Sequence, residues 1–151
     1  PHQDIAVLRG IEGARMKETY KLLAERFGVP WHGRRYDRAN PTAADLPNQA
    51  INHAASAVEA AAAVAVAATG TIPQLGFIHE DSGQSFVLDI ADLFRDSVTL
   101  PAAFRAAKEG AKRADQPIER LTRRWVGETM RGQATLPAMI ERIKTLFEAG
   151  D

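Results

Sequence analysis

Three groups of residues have side chains and spacings that suit chemistry. Glu12 sits in a segment where Ile5, Leu8, Met16, Tyr20, Leu23 and Phe27 recur at helical spacing, and at about 100° per residue it falls near the middle of their stripe. A carboxylate buried there unpaired would cost several kcal/mol, so it has to meet an arginine, a metal ion or a wet cleft. Arg9 and Arg15, three residues to either side, offer the plain ion pair. Asp89, Asp92 and Asp96 are spaced i, i+3, i+7 on a short amphipathic segment and share an edge opposite Phe86, Ile90, Leu93 and Phe94. Like charges so placed repel, and either a divalent cation or a solvated acidic face with Arg95 alongside accommodates them. His79 ends the short apolar burst Gly76-Phe77-Ile78 just before a turn, where its imidazole can project toward a cleft or simply find a hydrogen bond. Glu, His and Asp from three segments make an oxygen-rich donor set with one nitrogen, which suits Mg²⁺ or Mn²⁺ better than zinc.

The elements that position these groups read as helices. Apolar periodicity predicts a first helix from about Asp4 to Phe27, capped by Asp4 and ended by Gly28 before Pro30. Residues 29–47 are rich in turn formers and place Arg34, Arg35 and Arg38 beside Trp31 and Tyr36, a loop of basic and aromatic character. Asn48 to Thr69 is alanine-rich and nearly apolar all round, with Asn52, Ser56 and Glu59 on one stripe, the pattern of a central helix buried by its neighbours. A short extended segment with a turn is expected near residues 72–84. Four more helices are expected over about Ser85–Asp96, Leu100–Glu109, Pro117–Arg131 and Leu136–Ala149. Pro101, Pro117 and Pro137 fall in first turns, where a missing N–H costs nothing. The prediction is an all-α single domain of about six helices around the alanine-rich one, over residues 1–151.

Composition narrows the function further. Nineteen Lys and Arg balance nineteen Asp and Glu, so a charge-driven role must be local: at Arg34, Arg35 and Arg38, at Lys108, Lys112 and Arg113, or at Arg120, Arg123, Arg124 and Arg131. The alternative for the last two clusters is arginines paired with nearby acids. With no cysteine, disulfides, thiol nucleophiles and cysteine-ligated metals are excluded, and a cytoplasmic location is expected. The longest apolar run, Ala60–Ala68, is about half of what a membrane span needs, so no membrane is expected. Walker, dinucleotide-glycine, HExxH and GxSxG signatures are absent from the sequence. The chain opens on Pro1, from which a piece of a longer polypeptide is expected.

Three stretches carry a resemblance: LRGIEGARMKETYKLLAERFGVPWHGRRYD, LPNQAINHAASAVEAAAAVAVAATG and LGFIHEDSGQSFVLDIADLFRD. Together they resemble the α-helical domain of the CRISPR-associated spacer-acquisition integrases, the first-numbered protein of the CRISPR adaptation machinery, in its type I-E form. The resemblance implies that Glu12 in RGIEG, His79 in GFIH and Asp92 in DIAD bind a divalent metal, Mg²⁺ or Mn²⁺, with Asp89 a nearby contributor. It implies a helical catalytic domain that, in whole family members, follows a β-rich dimerisation domain and further helices not represented in this chain. It also implies homodimers bridged by a small ferredoxin-fold protein, the second-numbered adaptation protein. DNA would be both fragment and target, contacted by Arg34, Arg35, Arg38 and Arg95. Glu80 and Asp81 in the following turn are either extra ligands or a solvated acidic turn. The implied reaction is attack of a DNA 3′-hydroxyl on a phosphodiester, with DNA cleavage as the side reaction when water replaces the hydroxyl. A different class stays open beside it: a non-catalytic helical scaffold in which Glu12 and the aspartates are ion pairs and need not converge.

Overall fold

The computed structural model describes residues 5–35, 44–80 and 82–148, and these form six α-helices with no strand. They are α1 (Ile5–Phe27), α2 (Leu46–Ala68), α3 (Ser85–Asp92), α4 (Leu100–Gly110), α5 (Ile118–Gly132) and α6 (Thr135–Glu148). The expected all-α architecture is the one observed, with Asp4 outside the described residues.

Helix α2 is the axis of the fold. Asp45 caps it by accepting the Asn48 N–H at 3.1 Å, and Pro47 occupies the first turn, where no donor is needed. Its small side chains let α3, α4, α5 and α6 approach closely, which buries Ala50, Ile51, Ala54, Val58, Ala62, Ala65 and Val66. The burial is one-sided, because Val64 on the outer side is exposed. Among the described residues α2 alone is long and apolar enough to cross a membrane, but its buried face belongs to this helical core.

The expected single helix over 85–96 is two pieces. Helix α3 ends at Asp92, and a single π-helical turn over Arg95–Thr99 leads into α4, with the N–H groups of Val98 and Thr99 both donating to the Phe94 carbonyl. Pro101 has no N–H to offer the Ser97 carbonyl one turn back, and the Gln133 side chain donates to that oxygen instead, at 3.1 Å. The π turn therefore redirects Asp96 away from the line of Asp89 and Asp92.

Helix α1 leans on α4. Met16, Tyr20, Leu23 and Phe27 pack partly against the core; Tyr20 stacks on Trp31 at 5.1 Å, and Trp31 meets the edge of Phe104 at 5.6 Å. In the first half Val7 and Ile11, which lie off the stripe read from the sequence, are exposed, and the side chains of Ile5 and Leu8 lie outside those described. Residues 71–80 and 82–84 alternate turns and bends with short irregular stretches, and no strand forms among them. The Phe86 N–H donates to the Pro73 carbonyl at 2.8 Å, which folds this loop back on the start of α3.

Candidate active site

The site is built where loop 76–79 crosses α3. Asp89 lies on the loop-facing side of α3 and is only 8% exposed. Its carboxylate accepts the backbone N–H groups of Phe77 at 2.6 Å, Ile78 at 3.1 Å and His79 at 3.2 Å, and lies 2.7 Å from His79 Nδ1. Burial pushes this carboxyl up, but the imidazole and the three amides outweigh that and hold it below the ordinary carboxylate range. An ionised carboxylate only accepts, so Nδ1 is the donor of the pair and Nε2 is left facing away from Asp89. Gly76 is what allows the loop so close. A Cβ there would lie 1.9 Å from the His79 carbonyl oxygen and 2.5 Å from Ser85 Cβ, so any side chain would break the crossing.

One turn further along α3, Asp92 Oδ2 lies 4.0 Å from His79 Nε2, and the other Asp92 oxygen pairs with Arg95. Arg95 also draws on Glu12: its charge, added to the stronger hydrogen bond from Arg15, holds the Glu12 carboxyl below its usual range. Arg15 bridges two elements, with Nη2 2.8 Å from Glu12 Oε1 and Nη1 2.7 Å from Asp96 Oδ2. His79, Asp89, Asp92 and Arg95 thus form one contact chain, and Glu12 is tied to it through the field of Arg95.

Three expectations need correcting. Glu12 does not lie on a buried face: its side chain is 56% exposed. Its partner is Arg15, the ion pair weighed as the alternative. The three aspartates do not form one row either: Asp89 and Asp92, one turn apart, both face His79, whereas Asp96, moved by the π turn, faces Arg15 on α1. The first is not a solvated acid at all. As they stand, no three or more His, Cys, Asp or Glu side chains among the described residues are arranged as a metal cage. The donor chemistry nonetheless suits a hard divalent ion with one imidazole: two exposed carboxylates, and a histidine whose second nitrogen is fixed by a buried carboxylate.

The basic loop is a built structure. Asn48, fully buried, accepts from Arg34 Nη1 at 3.0 Å and from the Arg35 N–H at 2.8 Å, while its amide donates to the Gly33 carbonyl at 3.0 Å and to Asp45 at 2.7 Å. Arg34 Nη2 reaches Asn52 at 2.6 Å. Arg34 therefore serves the loop, although it and Arg35 are both exposed. Sequence reasoning passed over Asn48; a polar side chain in the first turn of an otherwise alanine-rich helix was the available signal. Arg38, Tyr36 and Asp81 lie outside the described residues, and Glu80 is exposed. Of the remaining cations, Arg113, Arg123 and Arg124 are paired with Glu109, Glu119, Glu109 and Glu128, but Lys108 and Lys112 have no acidic partner among the described residues.

Comparison with known proteins extends this description. Residues 2–135 match the family described as CRISPR associated protein Cas1. The chain is 36% identical over 149 residues to the CRISPR-associated endonuclease Cas1 of Escherichia coli K12, covering 99% of this chain and 48% of that protein. It is 40% identical over 140 residues to CRISPR-associated endonuclease Cas1 2 of Thermus thermophilus, covering 93% of this chain and 42% of that protein. Among solved structures it is similar to one titled as a TtCas1-DNA complex, with a TM-score of 0.88 and 38% identity over 97% of this chain and 54% of the other. A second, titled as TtCas1, has a TM-score of 0.82 and 35% identity. The chain spans about half the length of the relatives it matches.

Proposed function

This chain belongs to the CRISPR-associated Cas1 family, and from that premise we propose that it is the helical catalytic part of a divalent-metal-dependent DNA endonuclease and integrase of CRISPR adaptation. The observation that carries the reading is the Asp89–His79 pair, which fixes Nδ1 as donor and leaves Nε2 on the side of Asp92. In this reading Glu12, His79 and Asp92 hold Mg²⁺ or Mn²⁺, and Asp89 orients His79 without binding the ion itself. A cation held there would supply positive charge against the negative charge that builds up during attack on a phosphodiester. The reaction is an attack by a DNA 3′-hydroxyl on a repeat phosphodiester. One P–O bond forms, the bond to the old 3′ oxygen breaks, the attacking hydroxyl loses its proton and the leaving oxygen gains one. No side chain of this protein becomes covalently attached.

Arg15 and Arg95 act as the counter-ions of Glu12 and Asp92 when no cation is bound, and both would have to yield for the carboxylates to turn to a metal. Arg35 and Arg95, with Arg38, are the proposed DNA contacts, and Arg34 contributes by fixing the loop that carries Arg35. A neighbour solved with DNA supports that partner. The type I-E assignment, pairing of two copies, bridging by the small ferredoxin-fold adaptation protein and a cytoplasmic location belong to the same proposal.

One observation favours the second reading, a helical scaffold without catalysis: Glu12 and Asp92 each have an arginine of their own. Calorimetric titration of Mn²⁺ decides between the two. The metal reading expects one saturable site on this chain that is lost in Glu12→Ala and in Asp92→Asn. A scaffold shows no saturable uptake in any of the three, and that result would overturn the proposal.

A further inference from the structure

Two guanidinium groups stand among the carboxylates of the candidate site, and they are held differently. Arg95 forms an ion pair with Asp92 alone among the described residues. Arg15 is shared between two acids: Nε and Nη2 donate to the two oxygens of Glu12 at 2.9 and 2.8 Å, and the remaining Nη1 donates to Asp96 Oδ2 at 2.7 Å. The two contacts use different nitrogens of one planar fork, so one can break while the other stays. The side chains of Arg15, Glu12 and Asp96 are 52%, 56% and 42% exposed, which makes both pairs solvent-screened and exchangeable. Asp96 itself is fixed from elsewhere. It is the second residue of the π turn over Arg95–Thr99, whose Val98 and Thr99 are buried and whose Ser97 carbonyl accepts from the Gln133 side chain at the end of α5. Its place is therefore set by the core, 81 positions along the chain from the arginine that it meets.

We infer that Asp96 is a positioning residue of the candidate site, which retains Arg15 when Glu12 turns from it to a divalent cation. The inference rests on the reading of Glu12 as a metal ligand given above. A guanidinium and a metal ion compete for the same carboxylate, and their like charges repel. Were Glu12 the sole partner of Arg15, its release would leave an unpaired cationic side chain beside the ion, and both effects would weaken metal binding. With Nη1 already on Asp96, release breaks one of two contacts and the guanidinium stays tethered to the π turn. The apparent affinity for metal is the intrinsic affinity reduced by the fraction of molecules in which Glu12 is free, and Asp96 raises that fraction by sharing Arg15. A regular α-helix through residue 96 would instead have kept this aspartate in the row of Asp89 and Asp92.

The test is calorimetric titration of Mn²⁺ into the wild-type chain, Asp96→Asn, Arg15→Gln and the double variant, at about 0.15 M salt. Both side chains are at the surface, so helix content by circular dichroism should be unchanged. Asp96→Asn should weaken Mn²⁺ binding about fivefold, the scale of one exposed ion pair, and Arg15→Gln should tighten it by about the same factor. Because Asp96 acts through Arg15, its exchange for Asn in the Arg15→Gln background should change the affinity by less than about twofold. An equal loss in both backgrounds would show that Asp96 acts by its own charge on the ion, and would overturn the inference. Weaker binding by Arg15→Gln would overturn it too. A metal-free measurement reads the tether itself: arginine side-chain NMR should show slow rotation of the Arg15 guanidinium in Glu12→Gln and fast rotation in Glu12→Gln/Asp96→Asn. Fast rotation in both would mean that Asp96 does not hold Arg15. Absence of Mn²⁺ uptake by the wild type overturns the metal reading and this inference with it, whereas saturable uptake that Asp96→Asn leaves unchanged overturns this inference alone.

Discussion

Asp89 and Glu12 are both carboxylates of the candidate site, both held below their ordinary pKa, and they are opposite in kind. Asp89 is buried and spans its loop with four hydrogen-bond contacts, so its geometry is fixed by the fold. Glu12 is exposed on α1 and is held by a single arginine that also serves Asp96. The low pKa therefore reports structure in one case and a local, exchangeable partner in the other. A ligand that must change partners during function belongs on the exposed side of this pair, and a residue that sets orientation belongs on the buried side.

The largest test of that division is Asp92→Asn, which removes an exposed, exchangeable carboxylate. With Mn²⁺ present, DNA cleavage by the complete protein carrying this substitution should fall about 1000-fold, about 4 kcal/mol of transition-state stabilisation, while the fold is retained. Activity within about twofold of wild type would show that Asp92 is no ligand. Asp89→Ala should act differently, as a loss of stability of about 3 kcal/mol in urea unfolding, because three amides and an imidazole are left without their acceptor. A change below about 0.5 kcal/mol would remove the distinction between the two acids.

The pH dependence sharpens the same point. Unfolded Asp89 takes up its proton near pH 4, whereas the folded carboxyl holds off until lower pH. Its contribution is complete above the unfolded pKa and is lost as pH falls through the folded one, so metal-free wild type should lose stability between about pH 5 and 3 more steeply than Asp89→Ala. Parallel curves would show that Asp89 is not the titrating anchor. The smallest effect is expected at Glu12: its exchange for Gln should change unfolding stability by less than about 0.5 kcal/mol, since the ion pair with Arg15 is solvent-screened. A loss of more than about 2 kcal/mol would mean that Glu12 is structural after all.

Much of this was legible in the residues. The six helices follow from apolar periodicity and from proline and glycine punctuation, which are local properties of the chain and need no knowledge of neighbours. The candidate ligands, too, were singled out by type: Glu12, His79 and the aspartates of α3. What periodicity could not give is the side each residue faces once neighbours are absent or bent. Glu12 is exposed beside Arg15 although its phase places it on the apolar stripe, and the π turn before Pro101 takes Asp96 out of the acidic row.

The sequence by itself determined the helical class, the apolar axis of α2 and the set of residues capable of chemistry, because each is encoded in neighbouring positions along the chain. Only the tertiary structure decided which acid is an anchor and which is free to change partners. The pairing of Asp89 with loop 77–79, of Arg15 with Asp96 and of Glu109 with Trp125 joins residues 10 to 81 positions apart. Those contacts depend on where helices cross, and crossing is set by the packing of the whole core.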